Sequence, residues 1–265
     1  MFHQPDNTFG SKIYNAYAYS NTEYGTHFHK SFELIYCKSG ALNVSVDDCS
    51  FSVKCGEFVL VFPYQMHSFA PDYGQGDCDF WISVFSGDLI HEFEKQYKNM
   101  LPALPKFTLS NHLYGIFESR FLHKLGLTYS DFSSLNDFTL KGFLYSVLGE
   151  FVMSTTFHEK SKDSDLVMQI VEYVEKNFKD NITLKTVADS LGYNFQYISR
   201  LFKRAMKINF RNLVNQYRFD YARLLLQQEN VTITQVALDS GFQSVRNFNR
   251  IYKEKTGTSP MRRPK

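Results

Sequence analysis

The chain has 265 residues, 43% hydrophobic and 21% charged, which is material for one large domain or two ordinary ones and unlike a disordered, collagenous or disulfide-stapled protein. No apolar run approaches the roughly 20 residues of a membrane helix, and the opening MFHQPDNTFGSK lacks a signal-peptide layout, so a cytoplasmic protein without a membrane partner is expected. The formal charge of +2 conceals a split: residues 1–164 hold 12 Lys and Arg against 18 Asp and Glu, and residues 165–265 hold 17 against 9. A basic C-terminal segment suggests a polyanionic partner, nucleic acid before membrane, although charge alone leaves a chance surface distribution open.

In chain order, residues 13–85 read as strands. The short runs FELIYC, ALNVSV, FSVK, EFVLVF and FWISVF are rich in Val, Ile, Phe and Tyr and separated by Gly, Asp and Pro, the pattern of an antiparallel sandwich or barrel. Cys37, Cys49, Cys55 and Cys78 include no CxxC pair, so they are expected to be reduced thiols, with a redox sensor as the alternative. From about residue 87 to 155 the period becomes helical, clearest in Leu140, Phe143, Leu144, Val147, Leu148 and Phe151, a stripe suited to packing on the strands or pairing with its copy in another chain. The charged stretch FHEKSKDSD, residues 157–165, reads as a linker. Beyond it every segment is helical, starting with Leu166, Ile170, Val174 and Phe178 at four-residue steps. The expected fold is α+β in two domains: a β-barrel followed by helices over residues 1–156, and an all-α domain over 166–265.

The basic segment contains a repeat. An offset of 49 matches Asn181-Ile182-Thr183-Leu184 to Asn230-Val231-Thr232-Ile233, Val187-Ala188 to Val236-Ala237, and Gly192-Tyr193 to Gly241-Phe242; one further residue matches Arg200-Leu201-Phe202-Lys203 to Arg250-Ile251-Tyr252-Lys253. Each copy reads as helix, glycine turn, helix. Thr232 is placed to cap a helix, with Gln235 completing a reciprocal box, whereas Thr183 lacks such a Gln. Gly192 and Gly241 suit the left-handed end of a helix. With Ile198, Leu201, Phe202 and Ala205 buried, Gln196, Ser199, Arg200 and Lys203 fall on the open side. A brace helix followed by a polar-faced helix is what a major-groove reader needs, and Arg and Gln can grip guanine and adenine edges. A helical hairpin with a solvated face is the plainer reading of one copy; two copies in one basic segment favour DNA. The helix from Phe210 to Gln227 between them, apolar along Leu213, Tyr217, Tyr221, Leu224 and Leu225, would be a rigid spacer holding the reading helices about 34–36 Å apart.

Through VADSLGYNFQYISRLFKR, FRNLVNQYRFDYARLLL and ITQVALDSGFQSVRNFNRIYKEKTGTSP, the last hundred residues resemble the AraC/XylS family of bacterial transcription regulators. The resemblance implies base-facing positions at Gln196, Ser199 and Arg200 in the first copy and Val245, Arg246, Asn247 and Arg250 in the second; Lys203, on the same open side, is expected to bind DNA without choice of base. Val245 offers only apolar contact, to a thymine methyl for instance. Two departures stand out: Lys207 occupies a place where the family usually has a helix-ending Gly, and MRRPK after Pro260 replaces a final helix.

In the first domain His27-Phe28-His29, Glu33, Gly40 and His67 resemble the two motifs of a cupin barrel. His27, His29 and Glu33 share parity, so on one continuous strand they would point the same way, with His67 meeting them across the barrel. These residues are candidates for a divalent-metal site or, together with Tyr36, for the wall of an effector pocket; no cofactor is required by the sequence. Tyr36, Phe58, Phe62, Tyr64, Phe69, Phe80 and Trp81 could stack a ring, with plain core the more ordinary role.

The expected function is a sequence-specific transcription regulator acting on double-stranded promoter DNA and controlled by a small-molecule effector in the barrel. The resemblance further implies a homodimer formed through first-domain helices, contact with RNA polymerase, and activation rather than repression. The alternatives are a metal-dependent cupin enzyme with an accessory helical domain, which finds no GxSxG, P-loop or dinucleotide fingerprint in its support, and a nucleic-acid binder without sequence choice.

Overall fold

The computed structural model describes residues 2–3, 14–117, 137–228 and 230–260, and the chain divides into two compact units, Met1–Lys160 and Ser161–Lys265.

The first unit is built from strands β1 (Phe2–His3), β2 (Tyr14–Ser20), β3 (Tyr24–Phe28), β4 (Phe32–Cys37), β5 (Ala41–Val46), β6 (Cys49–Lys54), β7 (Glu57–Val61), β8 (His67–Pro71), β9 (Asp79–Phe85), β10 (Met100–Pro102), β11 (Lys106–Thr108) and β12 (Phe157–Glu159). Among the described residues they form one five-stranded sheet in the order β1-β3-β8-β5-β6, a second in the order β11-β7-β4-β9-β2, and the ribbon β10-β12. Pairing is antiparallel except between β1 and β3. The two larger sheets enclose a core that includes Val44, Val53 and Phe69 from the first sheet and Ile35, Val59, Ile82 and Val84 from the second. The expected barrel is therefore a cupin-like sandwich, because among the described residues the edge strands of one sheet bond no strand of the other.

Period two decides which side of the second sheet each residue serves. In β4, Ile35 and Cys37 enter the core between the sheets, while Phe32, Leu34 and Tyr36 turn to the outer face. That outer face is covered by helices α1 (His91–Tyr97), α2 (Asn111–Phe117) and α3 (Asp137–Ser154). The α3 stripe Leu140, Phe143, Leu144, Val147, Leu148 and Phe151 is spent here, against Phe58, Leu60, Phe62 and Trp81; burying a side chain of this size stabilises by about 1.5–3 kcal/mol. Of the two partners open to that stripe in the sequence, the chain's own sheet takes it.

The stretch expected to be a linker is largely structured. Phe157–Glu159 pairs with β10, and helix α4 (Lys162–Asn177) begins three residues later, capped by the Ser161 hydroxyl, which accepts from the Ser164 amide. Of the charged residues of this segment, Glu159 lies in the ribbon and Lys162, Asp163 and Asp165 in the first turn of α4, where the two half-buried aspartates complement the helix dipole.

The second unit continues with α5 (Leu184–Leu191), α6 (Phe195–Met206), α7 (Phe210–Leu225), α8 (Ile233–Asp239) and α9 (Val245–Thr256). Leu166, Ile170, Val174 and Phe178 are all buried, as the four-residue spacing predicts. The spacer helix α7 is more deeply embedded than an apolar stripe requires: each residue from Leu213 to Asp220 is buried. Its polar members are accommodated by bonds. Arg218 donates to the carbonyls of Phe178 and Asp180 at 2.7 and 2.8 Å, and Gln216 donates to the Asp220 carboxylate at 2.9 Å. No helix among the described residues is long and apolar enough to cross a membrane. The MRRPK sequence that replaces a final helix is residues 261–265, outside the described residues.

Candidate functional site

The two sequence repeats become two helix-turn-helix pairs, α5 with α6 and α8 with α9. Their first helices start 49 residues apart and their second helices 50 apart, the register that one inserted residue after the glycine demands. Gly192 and Gly241 both take positive φ, 73° and 83°. At Gly241 a side chain is doubly excluded, since an added Cβ would lie 2.5 Å from the Lys179 Cα. Small Ala188 and Ala237 are fully buried, as close helix crossings require.

The caps are distributed opposite to expectation. The Thr183 hydroxyl accepts from the Thr186 amide at 3.2 Å and the Thr186 hydroxyl accepts from the Thr183 amide at 2.9 Å, a complete reciprocal box. Thr232 accepts from the Gln235 amide at 3.0 Å, but the Gln235 side chain donates to the Asp239 carboxylate instead of returning to the cap. A hydroxyl at the third helical position thus does what was assigned to an amide. Lys207 closes α6 in the left-handed region at φ 53°, its N–H donating to the Lys203 carbonyl, so the missing glycine leaves the turn type unchanged.

The reading helices begin at Asn194 and Ser244, whose side chains accept from amides of the first turn. Buried Ile198, Leu201 and Phe202 in α6 and Phe248 and Ile251 in α9 face inward. Gln196, Arg200 and Lys203 are exposed and Ser199 half-buried; Arg246 and Arg250 are exposed and Asn247 half-buried. Val245 departs from this set, because it packs partly against the core of α7, α8 and α9. The offset of 50 also brings Asn249 and Lys253, both exposed, to the places of Ser199 and Lys203; the sequence pairs Lys253 with Lys203 without naming it as a contact, and Asn249 was missed though that same offset identifies it. Arg250 is steered by Glu254 at 3.1 Å and by the Asn247 side-chain oxygen at 3.2 Å. Tyr197 donates to Asp163 of α4 at 2.5 Å, and Arg204 pairs with the same carboxylate.

A cleft of about 690 Å³ opens where the N-terminal turns of α5, α7 and α9 converge, with Arg211, Arg246 and Arg250 on its wall. Three helix N-termini with the guanidinium groups of Arg211, Arg246 and Arg250 favour anionic oxygen, while Arg218, also on the wall, donates to the Phe178 and Asp180 carbonyls.

In the first unit, His27, His29, Glu33 and His67 do come together. Their candidate ligand atoms lie within 4.8 Å of one another, and all four side chains are buried. The route differs from the parity argument: β3 ends at Phe28 and β4 starts at Phe32, so the three upstream residues are not on one strand. His27 and His67 are register partners in the first sheet, Glu33 belongs to the second, and His29 sits in the crossing between them. Burial, with His67 beside it, pushes the His27 imidazole down to about 3. Burial alone would raise the Glu33 carboxyl, but attraction to His67 and the hydrogen bond with His29 outweigh it and hold the group below the usual carboxylate range. Tyr36 is elsewhere. It lies on the other face of β4, packed on Phe58 and Phe117 with its hydroxyl 2.7 Å from that of Tyr114, so it does not line a cavity with the histidines. Phe58, Phe62 and Trp81 share that outer core, and Phe69 and Phe80 the inner one. The four cysteines are free thiols, and burial pushes Cys37 up to about 12, away from the reactive thiolate.

Comparison with known proteins follows the same division. Residues 13–121 match the AraC-like ligand binding domain and residues 187–262 match a helix-turn-helix domain. The chain belongs to the AraC family of transcription regulators. This AraC-family member is 23% identical over 245 residues to YisR of Bacillus subtilis (strain 168), an uncharacterized HTH-type transcriptional regulator, covering 87% of this chain and 84% of that protein. A Staphylococcus aureus regulator, SAS0078, is 29% identical over 107 residues, 40% of this chain but 14% of the longer relative. Among solved structures, ToxT from Vibrio cholerae shares the fold with a TM-score of 0.57 at 15% identity over 94% of this chain and 97% of ToxT. ToxT with a bound unsaturated fatty acid gives 0.55 at 16% identity over 93% of each chain. The protein is accordingly a DNA-binding transcription regulator with an N-terminal ligand-binding domain, and the enzyme alternative gives way to a family of regulators.

Proposed function

We propose that the chain reads two successive major grooves of promoter DNA, α6 in one and α9 in the next, and that an effector in the first unit controls its occupancy. The observation that carries this is the repeated outward set: Gln196, Ser199, Arg200 and Lys203 on α6 recur as Arg246, Asn249, Arg250 and Lys253 on α9. Arg200, Arg246, Asn247 and Arg250 supply donors for base edges, Gln196 and Asn249 supply amides, and Lys203 and Lys253 lie one turn further along each helix, suited to phosphate. The cleft beside α9 suits a backbone phosphate. Val245, being partly packed, contributes at most its methyl edge.

A small-molecule effector is supported by the ligand-binding match to residues 13–121 and by the fatty acid that ToxT binds. The family likeness supports, as part of this reading, activation through RNA polymerase and work in the cytoplasm. For the homodimer, the stripe first considered is buried, but the opposite face of α3 carries Phe138, 88% exposed, and Met153, 89% exposed, with exposed Gly142, Tyr145 and Gly149 between them. That face is suited to a second copy of α3.

The test is to crosslink the protein to DNA in cells, sequence the recovered fragments, and measure binding to the derived site. Arg200→Ala and Arg250→Ala should each relax the choice of base, by about 1–3 kcal/mol, at positions about one helical turn apart. Lys203→Ala should weaken all sequences alike. With about 4–6 phosphates neutralised, log affinity should fall against log salt with a slope of roughly −4 to −5. Equal losses on cognate and random DNA for all three variants would refute base reading, and sedimentation of the same preparation at monomer mass would refute the dimer.

A further inference from the structure

We infer that the first unit carries a divalent transition-metal site formed by His27, His29, Glu33 and His67, and that the ion clamps its two sheets together. The inference goes beyond the DNA reading and does not depend on it.

Hydrogen bonding fixes which way the imidazoles face. Each Nδ1 lies against a backbone carbonyl: His27 on Gly25 at 2.9 Å, His29 on Ser31 at 3.0 Å and His67 on Gln65 at 2.9 Å. A carbonyl only accepts, so each Nδ1 carries a proton, and all three Nε2 atoms are turned toward Glu33. Outer partners that fix tautomer and ring angle in this way are the usual support of metal-bound histidine. The support reaches further at His67, where the Gln65 side chain accepts from the Phe62 amide and donates to Asp47.

The inward atoms are then short of partners. One contact satisfies a pair, His29 Nε2 with Glu33 Oε2 at 2.9 Å. His27 Nε2, His67 Nε2 and Glu33 Oε1 have no hydrogen-bond partner, and the last two stand 3.6 Å apart, too far for a hydrogen bond. Three unsatisfied polar atoms converging in a fully buried place are unlike an ordinary core, which leaves few such atoms and does not gather them. A single cation accepts electron pairs from all four side chains at once.

Size and donor type select the ion. Bonds of about 2.0–2.2 Å put adjacent ligand atoms about 3–3.6 Å apart and opposite ones about 4.4 Å apart, so ligand atoms that lie within 4.8 Å of one another reach one ion by side-chain rotation. Three imidazoles and one carboxylate suit first-row ions from iron(II) to zinc(II), neither the all-oxygen preference of magnesium nor the thiolate preference of copper(I). Because His27 and His67 come from one sheet and Glu33 from the other, the ion would cross-link the sandwich and stabilise it in the measure that it binds the folded state alone.

The experiment uses the full chain, purified without an immobilised-metal column, stripped with chelator and titrated with cobalt(II). Visible absorption, elemental analysis after gel filtration and thermal unfolding are read together. The expected result is about one equivalent retained per chain, a ligand-field spectrum and a raised melting transition. Glu33→Gln and His67→Gln, which keep side-chain size, should weaken cobalt affinity by at least about tenfold, the lower bound for losing even an outer-shell partner. Folded protein that retains less than about a tenth of an equivalent, with no spectrum and no thermal shift, overturns the site. Wild-type affinity in both variants also overturns it. If either variant fails to fold, the wild-type titration decides. DNA binding by the same preparation separates this outcome from that of the groove-reading proposal.

Discussion

The two helix-turn-helix copies share one sequence plan, yet the structure anchors them differently. The first has a closed capping box and a turn glycine, Gly192, with open space around it. The second has a half box and a turn glycine pressed against the Lys179 backbone. Its reading helix is tied to α7 through Lys255, which donates to buried Gln216, and through Phe219, Phe248 and Ile251 in one core cluster. Local capping therefore does more for α5 than for α8, while each reading helix has its own tertiary tie, α6 to α4 through Asp163 and α9 to α7 through Lys255. A duplicated motif preserves its outward chemistry while its means of support diverge.

The largest expected difference lies at the glycines. Gly192→Ala forces a left-handed alanine and, after the freedom glycine loses on folding is set against that strain, should cost up to about 1 kcal/mol. Gly241→Ala adds a backbone collision to the same strain and should cost at least about 3 kcal/mol. Native-state hydrogen exchange of amides in α5 and α6 compared with α8 and α9 measures both. Equal losses at the two sites would contradict the asymmetry.

A smaller difference lies at the caps. Thr186→Ala should open the box and destabilise α5 by about 0.5–1 kcal/mol, whereas Gln235→Ala should change α8 by less than about 0.5 kcal/mol, since its side chain does not reach the cap. The same exchange measurement reads each helix, and a larger effect at Gln235 would restore the assignment made from sequence.

These contrasts show where the sequence was legible. Helix periods, the repeat and the left-handed glycines depend on local chemistry, and they were readable to within a few residues. The capping box was misplaced because Gln is the familiar partner, while a Thr hydroxyl has the reach to serve a cap three residues away. Tyr36 was grouped with Glu33 although strand alternation puts residues 33 and 36 on opposite faces, so that error was avoidable. Asn249 was likewise within reach of the offset. By contrast, the meeting of His27, His29, Glu33 and His67 across two sheets depends on a chain crossing at residues 29–31 that no local pattern encodes; shared parity led to the right residues by a wrong path. The destination of the α3 stripe was also undecidable locally, because an apolar face does not specify what covers it.

The smallest predicted effect isolates one backbone angle. The reading helices end at equivalent positions, Lys207 at φ 53° and Gly257 at φ 74°, and in each the terminal N–H donates to the carbonyl four residues back, at 3.1 and 2.9 Å. The hydrogen bond is the same, so the copies differ here in what a Cβ costs in the left-handed region. That cost is about 1–2 kcal/mol for an L residue, and glycine returns about 0.5–1 kcal/mol of it as extra freedom in the unfolded chain. Lys207→Gly should therefore stabilise the second unit by up to about 1 kcal/mol. Gly257→Ala, with no heavy atom within 4 Å of the new Cβ, should destabilise it by a similar amount. Urea unfolding followed by far-ultraviolet circular dichroism should show midpoints moving in opposite directions with unchanged slopes; a loss of stability in Lys207→Gly would mean that the lysine side chain contributes more than its backbone angle costs.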